Sequence, residues 1–450
     1  MKSHSITWKR LTVAALAALA AVPAGAAAAP PVTIQEAIRA AWQENAGLKA
    51  SSAQVEAARA EAARARAGHL PTLSLSGRGV RTDEPMMAFG LKLDQARIGQ
   101  SDFDPARLNH PDAVGGWGAG AALNLPVFTG GRVAAGSRAA GAMAGAEAAS
   151  HERRRLEMAA AVVEAYFGAQ VSEEGVRYAD DLLAQAKETE RFVRERNAQG
   201  LALDADLARA SAFRAQAEAE RAAALQRRAS ARSGLALVAG DAVGEAELAT
   251  PVAALPPLPP VADGAPPPPD RPDLVAARLQ RDAADAGVSA ARGSLLPSLF
   301  AQASAETMRE GSDLSRGGSW TTLGLMLRWD LSLADAQATR AAQARARAAG
   351  EALVWREREA TREVGEARRA VETADVRIRS AEEAVAASES ARHLRGARHR
   401  QGLLPLTDVL DAEAGLAGAR ALLLASRLEA RVARARLALA LNLPIEGITP

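Results

Sequence analysis

One stretch decides the fold of this chain: His399-Arg400-Gln401-Gly402-Leu403-Leu404-Pro405-Leu406-Thr407-Asp408-Val409-Leu410-Asp411-Ala412. Apolar residues recur every seven positions before it, at Val364, Val371, Ile378 and Val385. The same period continues after it, at Leu416, Leu423, Ala430 and Leu437. This spacing predicts two long helices, each with one narrow apolar seam. Because Gly402 and Pro405 interrupt helix between the two runs, the helices should be antiparallel and meet at a tip.

The same hairpin occurs earlier in the chain, 202 residues before this one. Gln199-Gly200-Leu201 matches Gln401-Gly402-Leu403, and Asp206 matches Asp408. A constant offset that continues into the returning helices is the signature of an internal repeat. The chain is therefore predicted to be a tandem duplication of one unit.

Alanine dominates the apolar residues of this chain. The 450 residues are 48% hydrophobic but only 3% aromatic, so a thick globular core is not expected. Alanine favours helix and lets two backbones approach closely, which predicts thin helix pairs. The 55 basic and 53 acidic residues alternate along the predicted helices. This pattern is typical of solvated helix faces rather than of a nucleic-acid surface.

The N-terminus has the layout of a secretory signal peptide. Lys9-Arg10 precedes an apolar run from Leu11 to Val22, and small residues follow it. We predict a signal peptide over residues 1–28. The alternative is an uncleaved membrane anchor, which is less favoured because a membrane span needs about 20 apolar residues.

Each half of the remaining chain follows one order: helix, strand, loop, strand, very long helix, tip and returning helix. Thr33 and Glu36 form a predicted capping box at the start of the first helix. Strands are predicted where apolar and polar residues alternate. The predicted boundaries are a first repeat over 29–248 with strands 71–80 and 117–128 and a tip near 200, an extended proline-rich linker over 249–272, and a second repeat over 273–450 with strands 297–306 and 320–331 and a tip near 402.

The predicted strands suit a membrane only if several copies of the chain assemble. Four strands cannot close a membrane barrel, because single-chain barrels have at least about 8 strands. An unpaired sheet edge in lipid would leave backbone groups without hydrogen bonds, at a high cost. Three chains would supply twelve strands, within the range of known barrels. The alternative is a soluble sheet packed on helices, although the neighbouring helices offer little apolar surface.

Short motifs mark the ends of the strands, the start of the second half and the second tip. They are Leu70-Pro71-Thr72-Leu73, Leu125-Pro126-Val127-Phe128-Thr129-Gly130-Gly131, Arg271-Pro272-Asp273-Leu274, Leu295-Leu296-Pro297-Ser298-Leu299 and Thr407-Asp408-Val409-Leu410-Asp411-Ala412. Each motif is weak alone, but the ordered set resembles the TolC family of outer-membrane efflux proteins. The resemblance covers nearly all of the chain after the predicted signal peptide.

The resemblance implies an α-helical coiled-coil barrel plus a transmembrane β-barrel, built by a homotrimer whose barrel has twelve strands. It implies localisation in the outer membrane with a long periplasmic extension. The implied function is the channel of a tripartite efflux or secretion system, a passive export duct gated at its periplasmic helix tips. The implied partners are a periplasmic adaptor (membrane-fusion) protein and an inner-membrane pump.

Two places depart from the family pattern. The second strand exit, Trp329-Asp330-Leu331, lacks the proline and the paired glycines of the first exit. The first tip lacks a complete Asp-Val-Leu-Asp motif, so that motif carries over to the second tip alone.

Asp408 and Asp411 are candidate pore or gate residues. They share one helix face just past the second tip. The resemblance implies that they line the periplasmic mouth, where carboxylates from three copies would favour cations. The alternative is that Asp408 caps the returning helix and Asp411 lies in its first turn.

Further candidates lie at both tips and on the strands. The tip residues are predicted contacts for the adaptor: Gln199, Gly200, Leu201, Gln401, Gly402 and Leu403. The alternative is ordinary turn glycines with local leucine packing. Trp117 and Trp320 are predicted membrane-interface aromatics, although isolated tryptophans also fill cores.

The sequence offers no support for an enzyme. It has no cysteine, no metal-ligand spacing, no catalytic constellation and no phosphate-binding loop. We therefore expect no cofactor. The rival interpretation of the helical hairpins is a soluble periplasmic coiled-coil adaptor or scaffold protein, which has no use for strands with an apolar outer face.

Overall fold

The computed structural model describes residues 31–262, 264–310 and 317–447, so the predicted signal peptide, residues 1–28, lies outside the described residues. In the described part of the chain, helices and strands follow an order that repeats once. The first half contains α1 (Ile34–Glu44), α2 (Ala46–Ala67), β1 (Thr72–Thr82), α3 (Pro85–Asp94), α4 (Pro105–Asn109), β2 (Val114–Phe128), α5 (Arg132–Ala198), α6 (Asp204–Ala239) and α7 (Asp241–Glu245). The second half contains α8 (Pro272–Gly293), β3 (Ser298–Glu310), β4 (Gly317–Arg328), α9 (Leu333–Arg400) and α10 (Leu406–Ala440).

Two very long helices, α5 and α9, give the molecule its length. They contain 67 and 68 residues, which corresponds to about 100 Å at about 1.5 Å per residue. Each turns back into a shorter antiparallel helix, α6 or α10. Val176 and Ala179 of α5 cluster with Ala224 of α6, and Ala374 of α9 clusters with Ala430 of α10. Alanine at these positions lets the backbones approach, so the hairpins are thin.

The first helical stretch is divided into α1 and α2, where the order of elements inferred from the sequence has one helix. Asn45 has an extended backbone between them, and its side-chain oxygen accepts hydrogen bonds from the N–H groups of Gly47 (2.9 Å) and Leu48 (3.3 Å). This cap on α2 competes with helix continuation and explains the break. The capping box predicted at the start of α1 is confirmed, because Thr33 and Glu36 exchange both hydrogen bonds.

The described strands form one antiparallel sheet in the order β1-β2-β3-β4. Because β2 and β3 come from different halves, their pairing joins the two repeats, with Leu123 opposite Ala303. The strands extend two to four residues further toward their connecting loops than the alternation indicates, to Thr82, Val114, Glu310 and Gly317. Glycine and polar residues hide the alternation there, while backbone pairing continues. β4 ends at Arg328, three residues before the predicted boundary.

The two faces of the sheet differ in polarity. Paired residues of neighbouring strands share a face, and one face carries Leu73, Leu75, Ala121, Leu123, Ala301, Ala303, Leu323, Leu325 and Leu327. The opposite face carries Ser74, Ser76, Ala122, Asn124, Gln302, Ser304 and Thr322. Leu323 is 83% exposed in the single chain. Such an exposed apolar face marks a surface that another apolar medium covers.

A compact core lies midway along the long helices, where composition alone predicts no thick core. Ile38 of α1, Phe167 of α5 and Leu235 of α6 are fully buried in it. Tyr166 donates its hydroxyl hydrogen to the carbonyl oxygen of Val32 (2.6 Å) and accepts from the N–H of Thr250 (3.0 Å). The adjacent aromatic residues Tyr166 and Phe167 thus add large side chains to the core at this level, which the average composition does not reveal.

The proline-rich segment 249–272, predicted as an extended linker, is bound to this core. Arg431 of α10 is 1% exposed and donates hydrogen bonds to the carbonyl oxygens of Pro251 (2.6 Å) and Val252 (3.0 Å). Its guanidinium also pairs with Glu446 (3.0 Å) and lies 4.1 Å above the ring of Phe167. Burial raises the pKa of the Glu446 carboxyl, and the neighbouring Arg431 opposes that shift.

We expect Arg431→Met to lower the free energy of unfolding by about 3–5 kcal/mol, because it leaves Glu446 buried without its partner. Thermal unfolding followed by circular dichroism measures the change. Arg436→Met is the matched control on the same helix, since Arg436 and Glu164 are both exposed and such pairs contribute about 0–1 kcal/mol. Equal losses in the two variants would contradict the assigned role of Arg431.

Candidate functional site

The two hairpin tips have the same backbone structure. Gly200 and Gly402 adopt left-handed conformations (φ +73° and +77°), and each is the second residue after the end of its long helix, α5 or α9. The next N–H closes the same wide turn at both tips, from Leu201 to the carbonyl of Arg196 (2.8 Å) and from Leu403 to that of Arg398 (3.0 Å). Glycine is favoured at this position because it has no Cβ. The repeat therefore preserves the turn as well as the helices.

A side chain braces each tip at equivalent positions of the repeat. The Asn197 amide donates to the carbonyl oxygen of Ala202 (3.0 Å), and Nδ1–H of His399 donates to that of Leu404 (2.8 Å). Different residue types thus make the same connection from the end of the long helix to the turn. This equivalence is not visible in the sequence, where asparagine and histidine do not align as similar residues.

One apolar cluster joins the two tips of a chain. It buries Val193 of α5, Ala210 of α6 and Leu406 of α10. The ring of Phe192 meets the ring of His399 edge to face, with 6.2 Å between the ring centres. The tips of the first and second hairpins therefore form one packed end of the molecule.

The predicted adaptor contacts lie at this end and are accessible in the single chain. Gln199, Gly200, Gln401 and Gly402 are exposed. Leu201 and Leu403 are also exposed, and Leu203 is another exposed leucine that the sequence reasoning did not single out. The leucines of the helical seams are buried, whereas these leucines at the helix tips are exposed. Exposed leucines grouped in this way indicate a contact surface.

Asp408 and Asp411 lie at the start of α10. Asp408 is half-buried in the first turn, and Asp411 is exposed one turn further on. The alternative that Asp408 caps this helix is wrong, because Pro405 occupies the cap position and no side chain makes a cap hydrogen bond there. A carboxylate in the first helical turn is still favoured by the helix dipole. The structure brings both carboxylates to the tip, and their role in the pore stays a prediction.

Charged residues connect the two hairpins beyond the tips. Arg420 of α10 lies 3.8 Å from Asp181 of α5 and 3.1 Å from Glu389 of α9, and stacks on the ring of Tyr178 at 5.0 Å. Glu413 pairs with Arg392 (3.6 Å) beside a groove of about 760 Å³, and burial raises the pKa of Glu413. The contacts of Arg420 with Asp181 and Tyr178 were missed from the sequence because these partners lie on a helix of the other repeat.

Tryptophans mark both ends of the apolar face of the sheet. Trp117 lies on that face near the loops and is exposed, with Gly79 opposite its ring. Trp329 follows β4 at the helical end, and its indole N–H donates to the carbonyl of Leu295 (3.1 Å). The two are separated by about 12 positions of β3, which is about 30 Å at about 3.3 Å per residue and about 40° of tilt. Trp329 was not singled out from the sequence.

Trp320 does not fit the interfacial role predicted for it. It pairs with Glu306, three residues before Leu323, and this odd spacing places it on the polar face of the sheet. Its ring packs there against buried Ala88, Leu91 and Met308. We therefore retain Trp117 alone of the predicted pair as a candidate for the membrane interface.

No group of histidine, aspartate and glutamate residues in the described ranges has the geometry to hold a metal ion. In the same ranges, none of the helices has an apolar segment long enough to cross a bilayer.

A comparison with known protein families gives a match over most of the chain. The family model for outer membrane efflux proteins matches residues 37–241 and 270–443. A comparison with curated proteins gives no significant match.

Solved structures of outer-membrane channels have the same fold. The channel CmeC of Campylobacter jejuni has a TM-score of 0.78 at 17% identity, over 92% of this chain and 86% of that one. VceC of Vibrio cholerae has a TM-score of 0.75 at 21% identity, over 91% of this chain and 95% of that one. The open state of MtrE of Neisseria gonorrhoeae has a TM-score of 0.72 at 23% identity, over 93% of this chain and 90% of that one.

The first hairpin has a buried carboxylate whose role can be tested by pH. The Ser211 hydroxyl donates to Glu190 (2.8 Å) and, with Arg194 and Arg214, holds the pKa of Glu190 below its ordinary value. A lowered pKa contributes stability above the unfolded pKa of about 4.3, and this stability is lost as pH falls through the folded pKa. Ser211→Ala should therefore cost about 1 kcal/mol at neutral pH.

The difference between Ser211→Ala and the unaltered protein should narrow as pH falls below the ordinary glutamate pKa of about 4.3 and through the lowered pKa of Glu190, because protonation removes the carboxylate that the Ser211 hydroxyl stabilises. Thermal unfolding across a pH series measures it. Ser172→Ala is the control, because Ser172 donates only to Ala169 of its own helix among the described contacts. A pH-independent cost at Ser211 would contradict the coupling to Glu190.

Proposed function

Because the chain belongs to the outer membrane efflux protein family, we propose that three copies form a passive duct that exports substrates from the periplasm to the exterior. The protein is an efflux channel of the TolC type, located in the outer membrane with a periplasmic helical extension. Beyond this, we propose how the protein assembles, in which direction it exports substrates, where the duct is gated and which partners it binds.

The unpaired edges of the sheet carry the proposal. In the described chain β1 and β4 are the outer strands, and each has backbone N–H and C=O groups without a strand partner on one side. Joining β1 of one copy to β4 of the next would satisfy these groups, and three copies would close a twelve-stranded barrel. The leucine face would then meet lipid, and the serine, asparagine and glutamine face would line the lumen.

The same assembly would place three pairs of helix tips around one axis at the periplasmic end. Asp408 and Asp411 would then contribute carboxylates from three copies to a narrow mouth. Rings of carboxylates favour cations over anions in channels. The packed cluster of Leu406 with Val193 and Ala210 would hold each pair of tips closed until the hairpins separate.

Partners would act at the opposite end from the lipid. The exposed leucines at positions 201, 203 and 403, with Gln199 and Gln401, are suited to a periplasmic adaptor protein. That adaptor would connect the duct to an inner-membrane pump, which would supply the energy for export. The rival interpretation, a soluble periplasmic adaptor or scaffold, leaves the exposed leucines of the sheet without a role.

We expect replacement of both Asp408 and Asp411 by alanine to reduce cation selectivity, because it removes the carboxylates from the mouth. The reversal potential of single channels in a salt gradient measures this. Asp241→Ala, an exposed aspartate at the start of α7, is the control and should leave the reversal potential unchanged. Unaltered selectivity in the double variant would favour a purely helix-stabilising role.

We expect Leu403→Glu to abolish most export while leaving the trimer intact, because a carboxylate would replace an apolar contact with the adaptor. Substrate accumulation in cells measures export, and the heat-labile trimer band on gels reports assembly. Leu237→Glu, at an exposed leucine of α6 far from the tips, is the control. Full export by the Leu403 variant would argue against the contact.

A further inference from the structure

The first strand-to-strand loop folds back over the polar face of the sheet. Its helix α3 buries Ala88 and Leu91 against Val80, Val114 and Met308. These strand residues lie on the face that carries serine and asparagine, not on the leucine face. All of them are near the loop ends of their strands. α3 therefore covers the polar face at the end of the sheet furthest from the long helices.

Gln95, directly after α3, fixes this arrangement. It is 1% exposed, and its amide donates to the carbonyl oxygens of Gly115 (2.9 Å) and Arg309 (3.3 Å). Two glycines make room for the loop: a Cβ at Gly116 would lie 2.3 Å from the Gln95 amide nitrogen, and one at Gly318 would lie 2.3 Å from the carbonyl oxygen of Asp94. The strands are thus shaped to receive this segment.

Ion pairs brace the rest of the loop. Arg97 lies 2.9 Å from Glu310 at the end of β3, and it also donates to the Gln95 side-chain oxygen (3.0 Å). Lys92 of α3 pairs with Asp102 at 2.9 Å. The loop is therefore a folded element with polar contacts to two strands, rather than an open connection.

The other side of α3 is apolar and uncovered in the single chain. Met86 and Leu93 are 78% and 58% exposed and lie opposite Ala88 and Leu91 around the helix. Phe103, which packs edge to face on Phe89 of α3, is exposed beside them. Two methionines follow Pro85 at the start of this helix, and Lys92 and Asp94 are its only charged residues. Such a surface inside a water-filled lumen indicates a partner.

The dimensions of the proposed barrel identify that partner. Twelve strands about 4.8 Å apart and tilted by about 40° enclose about 24 Å between backbones. A helix with its side chains is about 10 Å thick. Three copies of α3, each against its own part of the wall at the same level, would leave a central bore of about 4 Å or less. The uncovered faces would therefore meet one another at the axis.

We propose that the three α3 helices form a plug that closes the outer mouth of the duct, with each apolar face packed on those of the two other copies. This rests on the proposed trimer. The duct then has a closure at each end: the helix tips on the periplasmic side and α3 on the outer side. Opening of the outer mouth requires that α3 leave the contacts made by Leu91 and Gln95.

Cysteine labelling on intact cells tests the plug, since the chain contains no cysteine of its own. Asn124→Cys places a thiol on the polar face of β2, ten residues from Val114 and so well inside the mouth. A bulky membrane-impermeant polyethylene glycol maleimide added outside should label it slowly. Arg107→Cys, on exposed α4, should react rapidly in every background and reports surface display.

Gln95→Glu keeps the side-chain shape but turns a carboxylate oxygen toward the carbonyls of Gly115 and Arg309. If the open mouth is normally a minor state of about 10%, a variant that opens the mouth fully should speed labelling of Asn124→Cys by about tenfold. Gln100→Glu, the same change at an exposed glutamine of the same loop, should leave the rate unchanged. Replacing residues 85–94 by a glycine-serine linker should also speed labelling.

Rapid labelling of Asn124→Cys with the loop unaltered would overturn the plug. So would a rate that neither Gln95→Glu nor the loop replacement raises. The heat-labile trimer is measured in the same cells. Its absence would count against the trimeric duct itself, whereas a trimer with a permanently open mouth would count against the plug alone.

Discussion

Unpaired backbone groups along β1 and β4 are the constraint on which the rest of this molecule depends. Within the described chain these strands end a sheet that has one leucine face and one polar face. In the proposed trimer each edge would pair with a strand of another copy, because a membrane offers no water to satisfy a free sheet edge. The single chain would then form one third of the barrel wall, and its exposed leucines would contact lipid.

The helical part has a different requirement, because it spans a long distance with thin helix pairs. Alanine at the seams of α5–α6 and α9–α10 brings backbones close, and arginine–carboxylate pairs cover the faces that water reaches. Such hairpins have few large apolar contacts. A localised core around Phe167 and Tyr166 packs residues of both halves together midway along the long helices. Buried Arg431 binds the proline-rich segment to this core.

The two ends of the molecule are built differently although the chain is a repeat. Both helix tips keep the same glycine turn and an equivalent side-chain brace, so the periplasmic end follows the duplication. The loops at the opposite end differ in length, and the loop of the first repeat contains a helix that lies on the polar sheet face. At no more than 23% identity to the channels compared, the shared fold leaves such loops free to differ.

Features that recur with a period could be predicted from the amino-acid sequence. The heptad spacing of apolar residues predicted the long helices, the alternation of apolar and polar residues predicted the strands, and the constant offset between the two repeats predicted both tips. Each of these signals recurs over many neighbouring residues. The odd spacing of Trp320 from Leu323 already placed the tryptophan on the polar face, but only the fold showed that α3 packs on it. Tertiary structure alone decided the burial of Arg431, whose carbonyl partner Pro251 is 180 residues away, and the ion pairs of Arg420 across helices. Contacts between residues so distant leave no local pattern, because their partners are chosen by packing.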